Sequence, residues 1–324
     1  MPPAHADPVF VVGFYRSGTS LLHALLNRHP ALALMYECDI LKLWPVVRAS
    51  GGQRDWAERL QFWNSALSRH RLAAAAFAGG PRDRRACALA LYRAYAAEKG
   101  AALCGEKSPY YHDRLPQLAA DFPQSKIVVL WRSPLETLRS VRRAGKTERF
   151  FAREDFAMRL VVGMKKLARD TARLRAAGHA VHEVQYRDLV SRQRETLTGI
   201  CEFLGLPFDE CLLDLAGADT SVLPTGEHHS GVREGVRPSP ARDEVLHERE
   251  RAYIERECET LPGAPWNTAA PGGTLPPPDW AERQQSNRLA LWENFIRVIY
   301  ACLPLPVLAA WRGRQERRFS SASR

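Results

Sequence analysis

No two of the seven cysteines stand two residues apart, so the paired spacing of a zinc site is absent. Seven is also an odd number, which leaves at least one thiol without an internal partner. Scattered cysteines of this kind fit buried apolar roles in a reducing compartment. The opening residues, MPPAHADPVF, lack a basic segment followed by an apolar one. No secretory leader is therefore predicted, and a cytoplasmic location is expected. The most apolar late stretch, residues 289–311, is interrupted by Glu293, Arg297, Pro304 and Pro306 and makes a poor membrane span. No internal repeat is found.

What remains is a chain of 324 residues, 45% of them hydrophobic, which is enough to bury a substantial core. Its formal net charge of +10 favours anionic partners, among them nucleotides, phosphorylated or sulfated substrates, and anionic surfaces. Charge alone does not choose among them.

Hydrophobic periodicity supplies the architecture. Residues 8–13 (PVFVVG) and 126–131 (KIVVLW) are short, β-branched runs of the kind that form strands buried on both faces. Residues 180–185 (AVHEVQ) alternate as a third strand. Helices are predicted over 18–28, 155–177, 192–204 and 279–303, and much of 38–100 reads as helical. His29-Pro30 closes the first helix, because the residue before proline is pushed out of the α region. Pro134 suits the first turn of another, where its missing N–H has no partner to lose. Strands alternating with helices predict an α/β fold, a mainly parallel sheet covered on both faces in three layers. Residues 1–261 are expected to form this domain. Residues 262–278, rich in proline and glycine, read as a linker or wrapping loop, and 279–324 as a terminal helix with a basic tail.

The segment Gly13-Phe14-Tyr15-Arg16-Ser17-Gly18-Thr19-Ser20 joins the first strand to the first helix. Such a junction presents free backbone N–H groups at the positive end of a helix, a ready site for an anion. The spacing is that of a P-loop, but Thr19 stands where an ATP-hydrolysing loop carries lysine. The cation here is Arg16, inside the loop. A loop of this kind can cradle a phosphate that is not itself transferred.

These residues, VVGFYRSGTSLLHALLNRHP, resemble the 5′-phosphosulfate-binding loop of sulfotransferases, especially the Golgi-type, tyrosylprotein and related bacterial branches. The resemblance implies a P-loop-like fold and, as co-substrate, 3′-phosphoadenosine 5′-phosphosulfate, gripped by Arg16, Ser17, Gly18, Thr19 and Ser20. No metal is implied. Trp131-Arg132-Ser133-Pro134 leading to Ser140 is similar to the family's 3′-phosphate site, an arginine at a strand end and a serine eight residues on. The arginine offers a planar fork to a phosphate. Where the family commonly has Arg-Asp, this chain has Arg132-Ser133. Residues 184–190 (VQYRDLV) and the following CEFLGLP resemble the family's later strand, turn and helix end. There Tyr186 reads as a core residue and Asp188 as a helix cap. The resemblance covers roughly residues 8–210.

Sulfuryl transfer requires deprotonation of the acceptor, in-line positioning and stabilisation of charge on the leaving phosphate. Glu37, 21 residues beyond Arg16, fits the position of the base in the tyrosylprotein branch. Lys107, in Glu106-Lys107-Ser108-Pro109, resembles a family lysine that would neutralise the bridging oxygen. With Arg16, these are the expected catalytic residues. His112, His228 and His229 stand as alternative bases, as in the cytosolic branch. Arg233 or Arg237, in the glycine-rich loop 228–237, could hold the 3′-phosphate. The acceptor stays open among a small molecule, a glycan, a lipid headgroup and a peptide tyrosine. Peripheral membrane contact is compatible with the charge, and nucleic acid is not an expected partner. Two rival readings are a P-loop kinase or NTPase, which would need the missing lysine, and a non-enzymatic basic polyanion-binding protein.

Overall fold

The computed structural model describes residues 7–39, 41, 83–148, 150–219, 244–259, 261, 263–267 and 275–304, together with 306, 307 and 310. Most of the helical reading over 38–100, the loop 228–237, much of 262–278 and the basic tail lie outside the described residues.

Five strands, β1 (Val9–Gly13), β2 (Leu32–Tyr36), β3 (Leu103–Lys107), β4 (Lys126–Trp131) and β5 (Val181–Gln185), form one sheet in the order β2-β3-β1-β4-β5. Every pairing is parallel. The fold is thus α/β with a parallel sheet, as the sequence predicted. Seven helices interleave or follow among the described residues up to α7: α1 (Thr19–Leu26), α2 (Arg84–Lys99), α3 (Leu115–Asp121), α4 (Pro134–Gly145), α5 (Phe156–Ala176), α6 (Tyr186–Ser191) and α7 (Gln193–Leu204). Beyond them lie α8 (Glu248–Ile254), a π turn at Glu255–Glu259, and α9 (Trp280–Cys302).

The pleat of the sheet divides the core. Phe10, Val12, Met35, Ile127, Val129 and Trp131 face α2, α3, α4 and α5. Val9, Val11, Leu34, Tyr36, Val128 and Leu130 face α1 and α7. Because β1 and β4 are buried on both faces, their sequences are continuous apolar runs rather than alternating ones.

Two of the five strands were not predicted. β2 reads LALMY, residues that favour helix at least as much as strand. Its pairing with β3, not its own propensity, fixes it. β3 reads LCGEK and ends in two charged residues that are nevertheless fully buried. A Cβ at Gly105 would fall 1.8 Å from the Val9 carbonyl oxygen, so only glycine lets β3 approach β1 there.

The connection from β1 to β2 crosses one face through α1. Among the described residues, the helices of the later connections, α2 to α5, pack on the other face. The loops leaving β1 and its neighbours β3 and β4 therefore part in opposite directions. That opens a crevice at the carboxyl end of β1, where open parallel sheets bind ligands.

Candidate active site

The crevice begins with the turn after β1. A Cβ on Gly13 would lie 2.8 Å from the Leu130 carbonyl oxygen and 2.6 Å from Ser17 Oγ, so the turn closes only on glycine. The Ser17 amide donates to the Phe14 carbonyl (3.1 Å), and Arg16 and Gly18 both take positive φ, 65° and 104°. α1 then starts at Thr19 with no side chain capping its first turn. Ser17 is buried, and its hydroxyl has no hydrogen-bond partner among the described residues. A buried orphan hydroxyl beside uncapped amides at a helix N-terminus suits an anion that would satisfy both.

Gly18 also carries a prediction. A Cβ there would sit 2.4 Å from the Tyr186 ring, at a φ of 104° that costs an ordinary residue about 1–2 kcal/mol even without a clash. Gly18→Ala is expected to lower the melting temperature and to abolish measurable binding of adenosine 3′,5′-bisphosphate in a calorimetric titration. Wild-type affinity in that variant would show that the turn does not hold the ligand.

The Arg16 side chain reaches α4. Its Nε donates to Ser140 Oγ (3.3 Å), and its guanidinium lies 5.7 Å from the centre of the Phe151 ring. Burial pushes its pKa below the usual arginine range. Arg132, at the end of β4, is buried; its Nη1 donates to the Arg16 carbonyl (3.0 Å) and its Nε to Glu136 (3.3 Å). The structure thus brings Arg132 and Ser140 together through Arg16, and ties the expected 3′-phosphate residues to the expected phosphate loop. Ser133, the departure from the family's Arg-Asp, donates to Glu259 (3.4 Å). A carboxylate at that position would meet another.

On the other side of β1 lies a second group. Lys107 Nζ donates to Glu37 Oε1 (2.6 Å) and to Ser20 Oγ (3.2 Å), and sits 3.5 Å above the Tyr36 ring. Tyr36 OH and Ser20 Oγ are 2.9 Å apart. The β2–β3 register places Tyr36 opposite Lys107, so Glu37 is the first residue past the sheet edge, with a φ of 47°. Lys107 is fully buried while the Glu37 side chain keeps 23% of its exposure, so the carboxylate is the more accessible member of the pair. Burial lowers the Lys107 pKa, and the Glu37 charge opposes that fall.

Sequence reasoning missed two participants. Tyr186, read as core, lies beneath the Arg132 guanidinium at 4.4 Å and against Gly18. Tyr36 forms the floor under Lys107. Nothing in an isolated tyrosine announces either position. His112, an alternative base, has its Nδ1 at 2.7 Å from the Pro109 carbonyl, and its ring packs edge-on against Phe14 and Tyr15. That is the setting of a packed aromatic residue. His228, His229, Arg233 and Arg237 lie outside the described residues.

Known proteins resemble this chain in sequence and in fold. Residues 8–210 match the model of the sulfotransferase family. No curated protein gives a significant match. Among solved structures, the sulfotransferase domain of the Synechococcus olefin synthase superposes with a TM-score of 0.52 at 21% identity, covering 81% of this chain and 99% of that one. The sulfotransferase domain from the curacin biosynthetic pathway gives 0.45 at 18%, over 88% and 98% of the two chains. A sulfotransferase from Mycobacterium tuberculosis gives 0.43 at 17%, over 77% and 76%. At such identities the likeness speaks for the fold, and the first superposition carries it.

Proposed function

The chain belongs to the sulfotransferase family, and from that membership we propose that it transfers the sulfuryl group of 3′-phosphoadenosine 5′-phosphosulfate to a hydroxyl or amine of its acceptor by in-line displacement. The observation that supports this most is the convergence of cationic and neutral donors on one crevice. Arg16, Ser17 and the uncapped start of α1 come from the end of β1, Lys107 from β3, and Arg132 with Ser140 from β4 and α4. This is the distribution needed by a ligand with phosphates at both ends of a nucleoside.

The residues fit the donor in chemistry. Arg16, Ser17, Gly18, Thr19, Ser20 and the α1 amides would hold its 5′-phosphosulfate, and Arg132 and Ser140 its 3′-phosphate. Glu37 accepts the proton from the attacking acceptor atom. The bond from that atom to sulfur forms as the bond from sulfur to the bridging oxygen breaks, and the electron pair leaves on the 5′-phosphate of adenosine 3′,5′-bisphosphate. Lys107 and Arg16 supply positive charge where that negative charge grows.

Thermal stabilisation separates this reading from a kinase. Adenosine 3′,5′-bisphosphate is expected to raise the melting temperature, and Mg·ATP to leave it unchanged; the reverse order would overturn the proposal. Arg132→Ala refines it. That variant is expected to lose about 2–4 kcal/mol in binding the 3′,5′-bisphosphate, since it strips a charge-assisted fork from a phosphate. Adenosine 5′-monophosphate should bind both forms alike. Equal losses for the two nucleotides would assign Arg132 elsewhere. The acceptor is sought by donor-dependent sulfation of cell extract with mass readout.

A further inference from the structure

Glu106 is a buried carboxylate that the transfer reaction does not use, next in sequence to Lys107. Its Oε2 accepts from Tyr92 OH (2.5 Å) and Tyr111 OH (2.9 Å), while its Oε1 accepts from the Asp39 backbone amide (2.5 Å). The Cys38 side chain also bonds to it. Ser108, on the far side of Lys107, donates its hydroxyl to Asp39 Oδ1. Between these two, the Glu37 amide donates to the Lys107 carbonyl (2.8 Å), and the Glu37 carboxylate receives Lys107 Nζ. Three consecutive residues at the end of β3 thus grip three consecutive residues past the end of β2.

The gripped segment is strained. Glu37 and Asp39 both take left-handed φ, 47° and 54°, without being glycine. Such conformations persist only where the surroundings over-determine them. A carboxylate serving as base on a free loop would lose its aim, and a misplacement of about 1 Å can cost on the order of 10²-fold in rate.

We propose that Glu106, with Ser108, is a positioning residue for catalysis: by holding Cys38 and Asp39 it fixes the left-handed backbone of Glu37 and so aims the Glu37 carboxylate beside Lys107. The proposal rests on the reading of Glu37 as base. It also accounts for the order Glu-Lys-Ser where β3 ends, since the outer residues hold the base segment while the middle one faces the base itself. The fully buried Glu106 is the costly element. Burial raises its pKa, and the donors gathered around it oppose that rise.

The test uses the full chain with the donor and water as acceptor, read as adenosine 3′,5′-bisphosphate released, beside amide hydrogen exchange. Glu106→Gln keeps the size of the side chain and removes its charge. Exchange at Glu37 and Asp39 is expected to rise by about tenfold, the difference between hydrogen bonds to a charged and to a neutral acceptor. Exchange at Val11 and Val129 should not change. Donor turnover should fall by about 10²-fold with the donor KM within about twofold, the signature of lost aim rather than lost binding. Ser108→Ala should move the same readouts in the same direction. Tyr92→Phe serves as the comparator, since it removes an Oε2 partner and leaves the Asp39 bond in place. It should lower the melting temperature but keep turnover.

Unchanged exchange at Glu37 and Asp39 in Glu106→Gln would overturn the proposal. So would a Tyr92→Phe variant that loses as much turnover at the same loss of stability. Glu37→Gln is run alongside: if it releases bisphosphate at the wild-type rate, the base reading falls, and the exchange data still decide whether Glu106 holds the segment.

Discussion

Lys107→Met is expected to slow sulfuryl transfer by about 10²–10³-fold, the usual loss when one preorganised donor to a developing negative charge is removed. Methionine is a close match in length and fills the same buried channel over the Tyr36 ring. The change therefore removes the ammonium and little else. The effect should fall on kcat rather than on donor KM, because charge on the bridging oxygen grows only as the bond to sulfur breaks. The pH profile gives an independent check. Burial lowers the Lys107 pKa below the usual lysine range, and the role proposed for it needs its cation. The wild-type rate should therefore fall, as pH rises, earlier than an exposed lysine with a pKa of about 10.4 would allow. Lys107→Met should lack that alkaline limb. Lys107→Arg keeps a cation at all accessible pH but presents a broad planar fork to a space shaped for a point charge, and should recover only part of the rate. A methionine variant that turns over at the wild-type rate would remove Lys107 from the reaction.

How much of this was legible in the sequence depended on where each residue's constraint comes from. β1 and β4 announce themselves, because a strand buried on both faces must be apolar throughout, and VFVV and KIVVL have few other uses. The turn after β1 is legible because its glycines answer to backbone geometry, a crowded Gly13 and a left-handed Gly18. The pairing of Arg132 with Ser140 was readable as a spacing, and the structure adds that Arg16 lies between them. β2 and β3 were not readable as strands. Leu32–Tyr36 owes its conformation to its neighbour, and Leu103–Lys107 carries a buried glutamate and lysine whose partners lie 67 and 70 residues away in the chain. Long-range pairing of that kind leaves no local period. For the same reason Glu37 could be located by its distance from the loop, but its left-handed backbone and the three residues that hold it could not. Tyr186 fails differently. Its contacts with Gly18 and Arg132 depend on β5 lying next to β4, which is a property of the sheet order alone.

Glu37→Gln is the change with the largest expected effect, a loss of about 10²–10⁴-fold in turnover, the contribution of a positioned general base. The amide is isosteric with the carboxylate. Its oxygen can still accept from Lys107 Nζ, and the backbone bond from the Glu37 amide to the Lys107 carbonyl is untouched. The left-handed backbone at 37 should therefore survive, since Gln meets the same sterics there as Glu. What disappears is the capacity to take a proton. Donor binding should stay within a few-fold of wild type, because the groups proposed to bind the phosphates, on β1, β4 and α4, are not altered. The informative comparison sets Glu37→Gln beside His112→Asn and His228→Asn. His112 is held against Pro109, Phe14 and Tyr15, so its replacement should cost stability and little turnover. If either histidine variant is inactive while Glu37→Gln keeps its rate, the proton goes to a histidine, and the Glu37–Lys107 pair serves only to hold the lysine in place.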